Sequence, residues 1–278
     1  METITRFAPS PTGYLHLGHA YSALINLDRA QAANGRFLLR IEDIDQTRCR
    51  PEYDAAIFED LAWLGLTWEE PVVRQSERMA MYETRLADLQ SRGLIYRCFK
   101  TRKDIENALS APHNSLAGAF RSAPLAALEE RDNLADGKPY AWRLSLTEAA
   151  QTLGNAYSTL TFTEEKDGGR VETPADVDRF GDVVLGRKDS GTSYHLSSVL
   201  DDAEQGVTHI IRGEDLREAA GLHTLLYALF DLAPPLYRHH ALITGEDGKR
   251  LAKRDQAATL RAMREGGLTP DDVKGQLP

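Results

Sequence analysis

Apolar and polar positions along this chain change period in the manner of an α/β protein. Ile4 to Ala8 is a short, partly apolar run, and it ends in Pro9-Ser10-Pro11-Thr12-Gly13. That is turn chemistry, because two prolines remove backbone donors and Gly13 permits unusual angles. A helix is predicted from near Gly18 to Asn34, with Leu24, Ile25 and Leu27 as apolar positions and Gly35 as its stop. Phe37-Leu38-Leu39-Arg40-Ile41 then reads as a buried parallel strand. This is a βαβ opening, a unit whose sheet takes ligands at the strand C-terminal ends. Pro51 suits the first turn of a helix reaching about Leu64. Ser76 suits the cap of another running to Gln90, stopped by Gly93.

From about Tyr96 the pattern loosens. Residues 110–139 are rich in Ala, Pro, Ser and Asn, and 163–175 are polar and charged around Gly168-Gly169. Residues 96–180 therefore read as an insertion with small strands of its own, such as Tyr140 to Leu146. Regular α/β pattern returns at Asp182-Val183-Val184-Leu185 and at Val207 to Arg212, followed by a helix from Arg217 to Leu232 and a helical C-terminus. The predicted fold class is α/β. A Rossmann-like domain over 1–95 and 181–246 is interrupted by an α+β subdomain over 96–180, and a loop with helices follows over 247–278. The length of 278 residues agrees with nearly two domains of about 150, or one domain carrying an insertion.

Composition narrows the class. Hydrophobic residues at 42% and charged residues at 27% exclude a disordered or collagen-like chain. No apolar run approaches the roughly 18 residues that span a bilayer, and Met1 to Arg6 lacks the basic and apolar regions of a secretory signal. Cys49 and Cys98 are too few for a disulfide framework or a four-cysteine zinc site. A cytoplasmic enzyme without a membrane partner is the expectation. The net charge of −9 argues weakly against indiscriminate nucleic-acid binding, but an RNA partner needs only local positive potential.

The densest chemistry lies in Arg6-Phe7-Ala8-Pro9-Ser10-Pro11-Thr12-Gly13-Tyr14-Leu15-His16-Leu17-Gly18-His19. Two histidines bracket a glycine where a helix begins, and a helix N-terminus offers N–H groups and partial positive charge to phosphate. Gly18 lets a nucleotide approach the backbone. The imidazoles of His16 and His19 can donate to phosphate oxygens as charge builds in a displacement at phosphorus. Taken alone, the pair also fits two metal ligands or two structural histidines.

The stretch resembles the HIGH signature of class I aminoacyl-tRNA synthetases, and R-F-A-P-S-P-T-G is similar to the glutamyl and glutaminyl branch. Arg40 to Arg48 (R-I-E-D-I-D-Q-T-R) and Gly206 to Asp215 (G-V-T-H-I-I-R-G-E-D) continue the likeness. Gly248-Lys249-Arg250-Leu251-Ala252-Lys253-Arg254 resembles the KMSKS loop. The four blocks stand in the family's order and cover most of the chain. The resemblance implies a Rossmann-like class I synthetase catalytic domain. It makes His16, His19, Lys253 and Arg250 the catalytic residues, with His16, Gly18, His19 and Lys253 binding ATP. Arg250 stands for the motif's first lysine and stays cationic. Ala252 stands for its serine, a loss of one hydroxyl that bears on loop kinetics more than on reaction type. By itself the basic loop would read as solvated.

Free glutamate carries two carboxylates and one ammonium, so its pocket calls for two cationic clamps and one anion. Arg6 and Arg212 can each form a bidentate pair with a carboxylate, and Glu42 can hold the ammonium. The resemblance adds Ser10, Tyr194 and the backbone of Ala8 to this site. As isolated residues, either arginine would also fit a structural ion pair, and Tyr194 a core position.

The chain ends soon after Arg254, where a full glutamyl-tRNA synthetase continues into an anticodon-binding domain, so no such domain is expected here. The sequence therefore resembles the stand-alone glutamyl-Q tRNA(Asp) synthetase family, as do Tyr14 to His19 and Tyr96 to Arg102. That resemblance implies activation of L-glutamate by ATP, with Mg²⁺ accompanying the triphosphate, and transfer to the cyclopentene-diol of queuosine in tRNA(Asp). A monomer is the expectation. The family often carries a C-x-C pair and a later cysteine in the insertion. Here Cys98 is present, Lys100 holds the position of the second cysteine and no later cysteine exists, so neither zinc nor another bound metal is expected. His113 reads as a loop histidine, and Cys49 as a small residue rather than a nucleophile. Rival readings are a truncated glutamyl-tRNA synthetase charging tRNA(Glu), a small-molecule adenylyltransferase, and an inactive tRNA-binding paralogue.

Overall fold

A computed structural model describes residues 2–101, 103–105, 119–243 and 259–278. The opening unit comprises β1 (Ile4–Phe7), α1 (Leu17–Ala32) and β2 (Arg36–Ile41), with β1 and β2 parallel from Ile4↔Arg36 to Phe7↔Leu39. The loop after β1 is pinned to the segments beyond β2. Glu42 donates its N–H to the Pro9 carbonyl and Arg50 to that of Pro11, both at 3.0 Å. α2 (Pro51–Trp63) starts on its proline, as the sequence predicts.

β3 (Glu69–Arg74) pairs parallel with β2 and is absent from the sequence reading. Glu69, Glu70 and Pro71 are exposed, so this edge strand shows no apolar period. α3 (Met79–Ser91) follows a 3₁₀ turn over Gln75–Arg78, and Ser76 does not cap it. Both the Ser76 N–H and hydroxyl donate to Asp43 instead, at 2.8 and 2.7 Å. A long-range carboxylate has outcompeted the local cap.

β4 (Ile95–Cys98), β5 (Ala141–Leu144) and β8 (Val184–Gly186) form an antiparallel sheet in the order β4-β5-β8. The hairpin of β6 (Thr161–Lys166) and β7 (Gly169–Pro174) joins β9 (His209–Gly213) and β10 (Leu236–His240) in the order β7-β6-β10-β9. β10 is parallel to both its neighbours and meets β6 at Tyr237↔Glu164. The hairpin therefore extends the parallel sheet instead of standing with the other strands of 96–180. Thr208 donates its N–H to the Ile4 carbonyl at 3.0 Å, which stitches the start of β9 to β1.

Among the described residues, the two larger of four apolar clusters hold most of these layers. One packs Phe7, Ala20, Leu39, Ile57 and Leu61 between α1, the first strands and α2. Leu260 and Val273, from the C-terminal helices Leu260–Glu265 and Pro270–Lys274, complete it. Burying each contributes roughly 1.5–3 kcal/mol. The other core packs α3 against the helices Tyr194–Glu204 and Ala219–Leu229. No helix among the described residues is long and apolar enough to cross a membrane.

Candidate active site

A cavity of about 600 Å³ opens where β1, β2, β9 and β10 end. Arg6, Ala8, Ser10, His16, Gly18, His19, Glu42, Tyr194 and Arg212 all line it. Every candidate named from the sequence and lying among the described residues is thus brought to one place, the C-terminal edge of a parallel sheet. Arg250 and Lys253 lie outside the described residues. The residues on either side of their segment do reach this place: Leu242 and Ile243 line the cavity, Thr259 bridges to His16, and Leu260 donates its N–H to the Leu15 carbonyl at 2.8 Å.

His16 is itself the N-cap of α1, in extended backbone with φ −130°. Its Nδ1 accepts from the Gly18 N–H at 3.1 Å, and its own N–H donates to His19 Nδ1 at 3.2 Å. This is a capping box built from two imidazoles rather than a hydroxyl and a carboxylate. The helix start therefore offers fewer unclaimed N–H groups to an anion than expected, because the Gly18 amide is already taken. The reciprocal bonds fix chemistry in return. With both Nδ1 atoms accepting, the neutral rings carry their protons on Nε2. The rings lie 3.8 Å apart. Gly18 has a local reason to lack a side chain: a Cβ there would meet His16 Cε1 at 3.0 Å.

The two arginines of the cavity stand in different electrostatic settings. Arg6 is spoken for: its Nε donates to Asp202 at 3.1 Å, and Arg40 Nη1 donates to the same oxygen at 2.8 Å. Arg40, fully buried, also reaches Glu42 at 3.1 Å and Gln205 at 2.9 Å. Beyond it, Asp201 gathers Arg78, Gln75 and Tyr82 at 2.7–3.0 Å. Burial works against the Arg40 charge, but Asp202, Glu42 and Asp201 outweigh it and raise its pKa. Burial likewise works against the Asp202 charge, yet Arg40 and Arg6 hold its pKa below the usual range. Glu42 receives only a share of Arg40, so burial wins and raises its pKa. A cationic ligand beside Glu42 would restore its charge, which suits an ammonium.

Arg212 has no carboxylate within ion-pairing distance among the described residues. Its Nε donates to His239 Nε2 at 3.4 Å and its Nη1 to the Tyr194 hydroxyl at 3.3 Å. Its guanidinium carbon lies 5.3 Å from the Tyr237 ring centroid. Its Nη2 is buried and finds no hydrogen-bond partner among the described residues. A buried, charged donor left unsatisfied is costly unless a ligand completes it, so this atom is able to receive an anion. Ser193 caps the helix that carries Tyr194, accepting from the Leu196 N–H at 3.4 Å.

Several contributors escape sequence reasoning: Arg40, Asp202, His239 and the cavity-lining Asp215. A charged residue inside the apolar run Phe37 to Ile41 is the one signal that could have flagged Arg40. Cys98 is buried against Tyr96 and Phe120. Burial, with Asp43 and Asp45 nearby, pushes the Cys49 thiol up, away from the thiolate a nucleophile needs. Among the described residues, no group of three or more His, Cys, Asp or Glu is gathered as for a metal ion.

Comparison with known proteins supplies the class. The family described as tRNA synthetases class I (E and Q), catalytic domain, matches residues 2–271. The chain belongs to this family, ligases of the aminoacyl-tRNA synthetase type. Within it, the chain is 46% identical to a glutamyl-Q tRNA(Asp) synthetase of Rhodobacter capsulatus, covering 98% of each. It is 39% identical to the glutamyl-Q tRNA(Asp) synthetase of Nocardia farcinica, covering 98% of this chain and 82% of that one. A glutamate tRNA ligase from Elizabethkingia meningosepticum, solved in complex with its amino acid, superposes with a TM-score of 0.73 at 27% identity. That match covers 96% of this chain and 54% of the ligase, so the chain spans about half the ligase's length.

Proposed function

We propose that this chain activates L-glutamate with ATP and transfers it to the queuosine diol of tRNA(Asp), acting as a monomer in the cytoplasm. The observation that carries the reading is Arg212, a buried guanidinium with an open donor beside Arg6 and Glu42 in one cavity. That charge set matches a dicarboxylic amino acid with an ammonium, and the relatives that match over nearly the whole chain bear the corresponding name.

In the first step the α-carboxylate of glutamate attacks the α-phosphorus of ATP, forming the acyl-phosphate bond of glutamyl-adenylate and releasing pyrophosphate. Arg6 and Arg212 hold the two carboxylates, Glu42 the ammonium, and Ser10, Tyr194 and the Ala8 backbone shape the pocket. His16 and His19, kept as Nε2–H donors by their mutual cap, stabilise charge on the phosphates. Arg250 and Lys253 offset the departing pyrophosphate. ATP enters with Mg²⁺ as part of the substrate, the metal held chiefly by phosphate oxygens. In the second step a hydroxyl of the modified nucleoside attacks the activated carbonyl, the acyl–phosphate bond breaks as the ester bond forms, AMP leaves, and the hydroxyl proton passes to the AMP phosphate or to water.

The test is ATP–pyrophosphate exchange with glutamate in the absence of RNA, followed by transfer of labelled glutamate to tRNA(Asp) with and without queuosine. Exchange without RNA and transfer only to the queuosine-bearing tRNA are expected. Transfer to unmodified tRNA(Glu) would overturn the assignment in favour of tRNA(Glu) charging.

A further inference from the structure

Behind Arg212 lies a second layer that does not itself line the cavity and, on the glutamate reading above, does not touch the substrate. His239 at the end of β10 is almost wholly buried, with 2% of its side chain exposed, and Glu164 on β6 is nearly as enclosed at 3%. His239 Nδ1 meets Glu164 Oε1 at 2.7 Å. Glu164 also accepts from Arg217 at 2.8 and 2.9 Å and pairs with Lys166 at 3.2 Å. Three cationic or N–H partners keep it ionised, and its pKa falls to about 2, Arg217 contributing most.

An ionised carboxylate can only accept, so the proton of this contact sits on His239 Nδ1. The ring is neutral, since burial depresses its pKa to about 4 despite Glu164. Its Nε2 therefore carries a lone pair, and that is the atom met by the Arg212 Nε–H. The Tyr237 ring lies nearly parallel to that of His239, at 7°, and beneath the Arg212 guanidinium. Nε, Nη1 and one face of Arg212 are thus fixed, which leaves Nη2 to meet a ligand. A neutral acceptor orients Arg212 without cancelling its charge. A carboxylate in the same place would neutralise it and let an uncharged amide bind as well as an anion.

We infer that His239, held in its Nδ1-protonated form by Glu164, is a positioning residue that orients Arg212 for the side-chain carboxylate and so sets selection of glutamate over glutamine. All amino acids share the α-carboxylate, so selection must act on the other end. This rests on the glutamate reading and deepens it.

The test measures glutamate-dependent exchange and calorimetric glutamate binding for the parent, His239→Leu and His239→Gln. Losing a hydrogen bond to a charged group should raise the KM for glutamate about tenfold in His239→Leu and lower discrimination against glutamine similarly. The KM for ATP should stay within about twofold, and the amide of His239→Gln, which can accept and donate in the same places, should keep the glutamate KM within about threefold of the parent. A folded His239→Leu with the parental glutamate KM overturns the inference, as does damage shared equally by His239→Gln or by the KM for ATP. If His239→Leu does not fold, ¹⁵N spectra of the parent imidazoles decide, and a proton on His239 Nε2 at neutral pH overturns it. A parent that neither binds nor activates glutamate removes the function reading first, before any variant is compared.

Discussion

Replacing Asp202 by asparagine removes the carboxylate that accepts from both Arg6 and Arg40 while keeping a similar shape. Both guanidinium contacts converge on a single oxygen, at 3.1 and 2.8 Å, and the side chain is 1% exposed. Each attraction is worth about 4 kcal/mol at roughly 4 Å between charge centres and an effective dielectric near 20, so about 8 kcal/mol disappears. Against this, asparagine avoids the several kcal/mol needed to strip water from a carboxylate. Glu42 also gains, because the repulsion from Asp202 that helps raise its pKa is gone. The balance is a loss of about 3–5 kcal/mol, the usual result of leaving buried cations without their partner. For a chain of this size that lowers the melting temperature by roughly 10 °C. Thermal unfolding followed by circular dichroism, with and without glutamate, reads the effect. A variant melting within about 2 °C of the parent would refute the view that this carboxylate anchors the floor of the site.

Three further outcomes are expected. Lys253→Ala should abolish most ATP–pyrophosphate exchange with an unchanged circular dichroism spectrum, and near-parental exchange would contradict a phosphate role for this residue. Gly18→Ala should change stability by no more than about 1 kcal/mol, since alanine favours helix, yet slow exchange about tenfold by displacing the His16 ring; full exchange would show that the ring's place does not matter. Lowering the pH from 7 to 5 should shift the urea midpoint downwards. His195 and His239 stay neutral to about pH 4, and His223, His209 and His240 are also depressed, so below about 6.5 the unfolded chain takes up protons that the fold refuses. Asp60, raised to about 6, and Glu42 act in the opposite sense, but five imidazoles outweigh two carboxyls. An equal or higher midpoint at pH 5 would count against this assignment of neutral histidines.

What the sequence discloses here is what has a local cause. The βαβ opening is legible because its turn, helix stop and apolar strand are each written within a few neighbouring residues. Most cavity residues are legible because they fall in blocks that resemble one family, while Tyr194 lies in none of those blocks and is supplied by the resemblance alone. β3 is not legible, being an edge strand with glutamates and a proline, nor is β10, where Tyr237 alone is fully buried among Leu-Tyr-Arg-His-His. Ser76 misleads because Asp43, 33 positions away, takes its hydroxyl. The supports of the cavity fail for the same reason at greater range. Arg40 and Asp202 are 162 positions apart, and His239 and Glu164 are 75. Such pairings follow from strand order, and no local pattern encodes them.

The contrast between the two cavity arginines also explains how a chain of net charge −9 can collect anionic ligands. Arg6 belongs to a closed set in which Arg40, Asp202 and Glu42 balance one another, so it contributes geometry more than potential. Arg212 contributes potential, because its neighbours are a phenol and a neutral imidazole. Keeping a guanidinium buried without a counter-charge costs stability in the empty protein. The fold tolerates that cost because Glu164, Arg217 and His239 form a network behind it, so among the described residues Nη2 is the Arg212 nitrogen left without a partner. A ligand carboxylate that completes this donor offsets the deficit as it binds. On the proposed reading, selection and stabilisation then arise from the same atom, and an uncharged analogue supplies less of both.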